Sequence, residues 1–350
     1  MKILVIQQKM IGDVLAGTVI CQAIKIKHPA AEVHYMIHPN TLAVVENNPS
    51  IDQIVIFDPK ENKGFSALVS FGKKLKKENY DVVIDAYGKW ESIIPAFYSG
   101  AKTSIGFRKW YTSFFYTKTV IPKKNVSGSA IYHRLQLAEA FTQEFIESGF
   151  PKIYLSENEI SEAKRNLSEI SANNTKIIMI SVLGSSENKS LPASQMAETL
   201  DIIAKFENVK LLFNFMPNQQ NEAKAIFELC RPETRQKIVF EFYMKGLRPF
   251  LSVLSQCDAL IGNEGGAVNM AKALGIPTFT IFSPWINKAS WDMLTHEDSH
   301  AAVHLQDYFP EVYGSEHSKK FRENALEMYT KLTTDLYRER LEQFVKKVIS

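Results

Sequence analysis

At 350 residues the chain exceeds one hydrophobic core, since single cores stop growing near roughly 250–300 residues, and two domains are expected. Hydrophobic residues make up 45% and charged residues 23%, a globular balance that excludes a largely disordered chain. The mean hydropathy of −0.14 and the lack of a long uncharged apolar run argue against a transmembrane helix.

Three cysteines (Cys21, Cys230 and Cys257) are widely spaced and odd in number, so no disulfide framework is expected and a reducing compartment is. The apolar run at the N-terminus, Ile3–Ile6, is broken by Gln7, Gln8 and Lys9. A secretory segment needs roughly 7–15 apolar residues, so this run reads as a buried strand and the protein as cytoplasmic. The net charge of +3 is uneven: residues 1–150 hold 18 Lys+Arg against 13 Asp+Glu, and residues 60–124 hold 13 against 5. Such an excess suits an anionic partner or is a solvated face; nothing in it calls for nucleic acid.

In chain order, Lys2–Gln7 is a predicted strand and Val14–Lys27 a helix ending before His28-Pro29. Glu32–Ile37 is a strand, Thr41–Asn47 a short helix, Ile54–Phe57 a strand, Phe65–Lys77 a helix and Tyr80–Asp85 a strand. The strands are apolar throughout, as when helices cover both faces. A break falls at Phe150-Pro151, followed by a polar helix and turn over Ser156–Asn174. The β/α rhythm restarts with strands at Lys176–Val182, Lys210–Phe215, Lys237–Phe240, Ala259–Gly262 and Pro277–Phe282. Helices are expected at Ala193–Phe206, Asn221–Cys230, Leu247–Gln256 and Val268–Leu274. The tail from Phe321 to Ile349 lacks Gly and Pro and reads as one or two helices on the body. The fold class is therefore α/β: two doubly wound, Rossmann-like domains (1–155 and 170–320, with a helical tail 321–350) facing across a cleft at the carboxyl ends of their strands.

Three loops at strand ends carry candidate chemistry. In the first, Gly12 permits a tight turn and Asp13 sits at the helix start, either capping it or offering a carboxylate that takes a proton from a hydroxyl. There is no GxGxxG. In the second, Gly184, Ser185 and Ser186 offer amide and hydroxyl donors and Lys189 a cation, a set that suits a phosphate or diphosphate or is simply a polar loop. In the third, a strand leads into Asn263-Glu264-Gly265-Gly266-Ala267-Val268-Asn269, where a helix N-terminus can hold an anion. Glu264 would repel an anion there and reads as an acceptor for ligand hydroxyls or loop amides. His296, His300 and His304 recur every four residues, without an HExxH pattern, and read as surface histidines; no metal site is expected. Trp285 and Trp291 either line the cleft or pack.

The ordered set of loops resembles glycosyltransferase family 9, the ADP-heptose–lipopolysaccharide heptosyltransferases. The family's IGD element is matched by Ile11-Gly12-Asp13. Its G-A-S…K-x-W-P element is matched by Gly184-Ser185 and Lys189-Ser190-Leu191-Pro192. Its N-D-T-G-P-M-H-L-A-A-A-L-G-x-P element is matched by Asn263 to Pro277. The chain departs from it with Glu264 for Asp, Gly265 for Thr, Ala267 for Pro, Asn269 for His and Leu191 for Trp.

The resemblance implies a GT-B fold with the acceptor in the N-terminal domain and the nucleotide-sugar in the C-terminal one. It also implies an inverting transfer that needs no metal or other cofactor, with Asp13 as base. Lys189 and Ser185 would bind the donor phosphates, and the Gly265–Asn269 turn would cradle the diphosphate. Heptose as the sugar, and a lipopolysaccharide core or related glycolipid as acceptor, come from the resemblance, with peripheral contact at the inner face of the inner membrane. The alternative is a catalytically silent GT-B protein that binds a nucleotide-sugar or glycan. Loss of the Asp and His from the third element favours that alternative, and retention of Gly12, Asp13 and Lys189 favours catalysis.

Overall fold

The computed structural model describes residues 1–123, 129–145, 149–171, 174–242, 244–291, 299–313 and 320–350, the side chains of residues 129 and 320 excepted. The chain divides after Tyr154 into two compact units, the first also taking in Ala289–Trp291. The first unit holds β1 (Lys2–Ile6), α1 (Ile11–Lys27), β2 (Glu32–Ile37), β3 (Gln53–Ile56), α2 (Gly64–Lys76), β4 (Val82–Asp85), α3 (Trp90–Tyr98), β5 (Thr103–Phe107), β6 (Lys118–Val120) and α4 (Ser129–Thr142). Its sheet is parallel, in the order β3-β2-β1-β4-β5-β6.

From Leu155 onward come α5 (Glu157–Leu167), β7 (Lys176–Ser181), α6 (Ala193–Ile203), β8 (Val209–Asn214), α7 (Gln220–Leu229), α8 (Pro232–Lys237), β9 (Ile238–Val239), α9 (Leu247–Leu254), β10 (Ala259–Asn263), α10 (Gly266–Ala273) and β11 (Thr278–Ile281). Then follow α11 (Lys288–Trp291), β12 (His300–Val303), α12 (Lys320–Glu323), α13 (Ala325–Lys331) and α14 (Thr334–Ile349). The second sheet is also parallel, in the order β12-β11-β10-β7-β8-β9. Both sheets therefore have the doubly wound order, with the direction of winding reversing between β1 and β4 in one and between β7 and β10 in the other. Ligands of such sheets bind beyond the strand ends at these reversals. The three sequence motifs lie there: after β1, after β7 and after β10.

Burial explains the elements. All of Ile3–Ile6 is fully buried, and α1 buries Val14, Leu15, Val19, Ile20, Ala23 and Ile24, each large apolar side chain contributing about 1.5–3 kcal/mol. The α5 helix starts where Ser156 accepts the Glu159 N–H and Glu159 accepts the Ser156 N–H, a reciprocal cap. The tail is part of the second core rather than an appendage. Leu332, Tyr337, Leu341 and Val345 are fully buried, Tyr337 meets Thr199 of α6 at 2.9 Å, and Thr334 donates to Glu198 at 2.7 Å.

Several expectations change. The helix expected over 41–47 is a 3₁₀ turn at Pro39–Val44, entered through a proline that fixes φ. The stretch 105–116, which shows no period, is the end of β5 followed by loop and a 3₁₀ turn at Ser113–Phe115. His300 and His304 are not surface residues. The first opens β12 with its ring against Thr278 at 3.0 Å, and burial lowers its pKa to about 4. His304 accepts from the Gln306 N–H. They lie on an extended segment, where a spacing of four sets residues about 13 Å apart along the strand instead of one turn apart on a helix. His296 lies outside the described residues. All three cysteines are buried, with burial pushing their thiols up.

Candidate active site

In the first unit, α1 begins at Ile11. Gly12 is thus a helical residue rather than the tight turn expected, and Asp13 is the third residue of the helix rather than its cap. Its carboxylate is held twice. Oδ2 accepts the Met10 N–H at 3.3 Å, and Oδ1 pairs with the Arg134 guanidinium of α4 at 2.7 Å. Arg134 is nearly buried, Asp13 one-third exposed. The same guanidinium reaches Gln7 at 3.4 Å and donates to the Ala130 carbonyl. Packing of α4 on α1 brings together residues 121 positions apart.

The other loop at this reversal follows β4 and is not among the three sequence motifs. Asp85 ends that strand beside Ile6 of β1 and is fully buried. It accepts the Tyr87 and Gly88 N–H groups, both at 2.9 Å, and the Tyr116 hydroxyl at 2.7 Å. Burial raises its pKa against the pull of these donors. The turn it fixes presents the Gly88 carbonyl to Lys109 Nζ at 2.6 Å, and burial lowers the pKa of that lysine. A carboxylate closing an apolar strand, Val82-Val83-Ile84-Asp85, was the available clue. Beside it lies a cavity of about 380 Å³ lined by Phe107, Arg108, Lys109, His133 and Arg134, with Ser290 and Trp291 of the stretch that groups with this unit. Arg108, Lys109 and Arg134 are basic side chains, so the cavity suits an anionic group. Trp291 is thus a lining residue.

In the second unit the two motif loops are tied together by Asn263. Its Oδ1 accepts the Leu191 N–H at 2.7 Å, and its Nδ2 donates to Ser181 and Val182 carbonyls at 3.1 and 3.0 Å. Both amide hydrogens are used inside the fold, so Asn263 positions the loops and does not present donors to a ligand. Gly262 (φ 133°) brings β10 so close to β7 that a Cβ would lie 2.4 Å from the Ser181 carbonyl. Gly184 is equally constrained: a Cβ would lie 2.2 Å from the Lys189 carbonyl. Its N–H donates to Ser190 Oγ at 2.9 Å and so is engaged by the loop itself.

Ser185 and Ser186 are exposed, the latter donating to Asn188 Oδ1 at 2.7 Å. Lys189 Nζ is 3.3 Å from Glu264 Oε1 and 5.4 Å above the Trp285 ring. Trp285 Nε1 and Ser283 Oγ both donate to the Asn188 carbonyl, at 2.9 and 2.7 Å. Trp285 therefore seats the lysine loop, and Glu264, expected to accept from ligand hydroxyls or loop amides, faces Lys189. The α10 helix starts at Gly266, with Gly265 as a cap that offers no side chain. The amides of Gly266, Ala267 and Val268 are left for a ligand, with Asn269 half-buried one residue on. Among the described residues no group of three or more His, Cys, Asp or Glu is placed to hold a metal ion, and no helix is long and apolar enough to cross a membrane.

Two doubly wound units, with a carboxylate at one reversal and a lysine beside a helix N-terminus at the other, make up the described site. The chain belongs to glycosyltransferase family 9 (heptosyltransferase), whose model matches residues 68–320; it is a glycosyltransferase. It is 25% identical over 296 residues to lipopolysaccharide heptosyltransferase 1 of Campylobacter coli, covering 81% of this chain and 84% of that protein. Its fold is similar to the crystal structure of a family 9 glycosyl transferase from Veillonella parvula, with a TM-score of 0.81 at 17% identity over 99% of this chain and 97% of the other. It is also similar to E. coli heptosyltransferase WaaC solved with ADP-2-deoxy-2-fluoro heptose, with a TM-score of 0.71 at 13% identity over 98% and 99% of the two chains.

Proposed function

We propose that the protein transfers heptose from ADP-heptose to a lipopolysaccharide core or related glycolipid, with inversion and without a metal. The observation that carries the catalytic part is the doubly held Asp13 carboxylate at the first reversal, one-third exposed. Asp13 takes the proton of an acceptor hydroxyl as its oxygen bonds to the anomeric carbon from the face opposite the diphosphate. The bond from that carbon to the diphosphate oxygen breaks, and the electron pair leaves with ADP. Lys189 and the first amides of α10 balance the charge that builds on the diphosphate. Glu264 holds Lys189 ready over Trp285, and Ser185 and Ser186 are the exposed hydroxyls of the donor loop. The cavity lined by Lys109 and Arg134 receives an acidic group of the acceptor. The donor is supported by the ADP-heptose analogue in the WaaC structure and the acceptor by the name of the Campylobacter relative. An acceptor of that kind places the enzyme in the cytoplasm, at the inner face of the inner membrane.

The test is ADP release from ADP-heptose with candidate glycolipid acceptors. Asp13→Asn keeps the size and should lower turnover by roughly 10²–10⁴ with donor affinity unchanged, and activity should survive EDTA. Near wild-type turnover of Asp13→Asn sinks the base. Loss of activity to chelator with rescue by Mg²⁺ sinks the metal-free mechanism.

A further inference from the structure

Outside both half-sites, the first unit displays a set of rings that its own fold leaves uncovered. Trp110 is 93% exposed, Phe114 73%, Phe97 51% and Trp90 48%. They are not scattered. Phe115 stands edge-on to Trp90 at 5.7 Å and to Phe97 at 5.4 Å, and Phe114 lies 4.2 Å from Phe115. Trp110 meets Tyr111 at 5.4 Å, and Tyr111 meets Trp90 at 6.4 Å. One connected aromatic surface thus runs from α3 across the loop after β5. Folded soluble proteins rarely leave a contiguous apolar patch of this kind unless something covers it.

Charge identifies the cover. Residues 89–118 contain Lys89, Lys102, Arg108, Lys109 and Lys118 against Glu91 alone. Two of the five are engaged by backbone carbonyls, the half-buried Lys109 by that of Gly88 and the exposed Lys118 by that of Ala140. Lys89 and Arg108 are exposed and immediately flank the rings, at Trp90 and Trp110. Tryptophan and tyrosine favour the water–lipid boundary, where an apolar ring and a polar edge are both satisfied, and flanking cations meet lipid phosphates. We propose that this surface seats the protein on an anionic bilayer, with Trp110 and Phe114 entering the headgroup region and Lys89 and Arg108 meeting lipid phosphates. The proposal deepens the glycolipid-acceptor reading and rests on it for its purpose, but its test does not need the acceptor.

The experiment is flotation of the full chain with vesicles of phosphatidylcholine alone or mixed with phosphatidylglycerol, with brominated lipids to quench tryptophan fluorescence. Wild type should bind the mixed vesicles, lose binding as salt rises, and show quenching. Trp110→Ser with Phe114→Ser should abolish binding, and Lys89→Glu should weaken it about tenfold or more. Transfer to a soluble, delipidated acceptor should be unchanged in the aromatic double variant, which also shows that it folds. No binding to mixed vesicles at low salt overturns the proposal, as does binding that the double variant retains. Concentration-dependent self-association abolished by the double variant also overturns it, by assigning the rings to a contact between copies. Vesicle binding without any transfer leaves docking standing and removes the glycolipid reading; transfer without vesicle binding does the reverse.

Discussion

The two half-sites occupy equivalent places in equivalent sheets but are built from different materials. In the first unit the chemistry is in side chains: Asp13 is aimed by Arg134, and Asp85, buried, fixes the turn that aims Lys109. In the second it is in backbone: Gly184 and Gly262 permit approaches no other residue allows, Asn263 splices the two loops, and a helix start offers bare amides. A proton acceptor has to be one oxygen in one orientation, which side-chain pairing supplies. A diphosphate presents many oxygens and is well met by several amides at once.

The contrast breaks most sharply at Arg134. Arg134→Gln should lower kcat by about 10–10² with donor KM unchanged, and Arg134→Lys should recover part of the loss. Unchanged kcat at saturating acceptor would remove its role in aiming Asp13 and leave it only a place in the acceptor cavity.

Gly184→Ala asks the reverse question of the donor loop. The added methyl must displace the Lys189 backbone, so titration with ADP should show affinity lower by about tenfold, or about 1.4 kcal/mol, while acceptor KM holds. Unchanged ADP affinity would mean that the loop does not meet the diphosphate.

The smallest effect is a difference in sign. Glu159 is held by the Arg248 guanidinium, at 3.0 Å from Nη2, and its pKa falls to about 2 from 4.5. That stabilisation is complete above pH 4.5 and is lost as pH falls towards 2; with solvent screening it is worth about 1 kcal/mol. Asp85 is shifted upward from 3.8 by burial, so its contribution is complete below that pH and is lost as pH rises through the folded-state value. Urea denaturation against pH should therefore show Glu159→Gln losing ground to wild type as pH rises from 2 to 5, and Asp85→Asn gaining ground as pH rises above 4. Parallel pH profiles would show that neither carboxylate is set apart by its surroundings.

The same difference in materials explains what the sequence discloses. Backbone devices need glycines and fixed spacing, so Gly184, Lys189 and the Gly265-Gly266 turn are visible in the chain, as is the β/α alternation that produces both sheets. Side-chain pairing leaves no local mark. Arg134 sits in a helix that carries no motif, and only the packing of α4 on α1 brings it to Asp13. Asp85 looks like the last residue of a strand until Tyr116 and the two amides close on it. The basic stretch misleads in the same way. Its charge is legible, but Lys109 and Lys118 are engaged by backbone carbonyls, and the exposure of the rings beside them is a property of the surface rather than of the composition.

The closure of the second core by α14 bears on synthesis. Tyr337, Leu341 and Phe344 lie in the same core as Phe279 of β11 and Leu200 of α6, and the Phe279 ring is 5.7 Å from that of Phe344. On the ribosome, the segments that build the first sheet emerge early and can fold while translation continues. The second sheet cannot cover its own helices until residues 334–349 have also emerged. Until then a nascent chain carries that sheet with its apolar face uncovered, the interval in which a chaperone or an unwanted neighbour would find it.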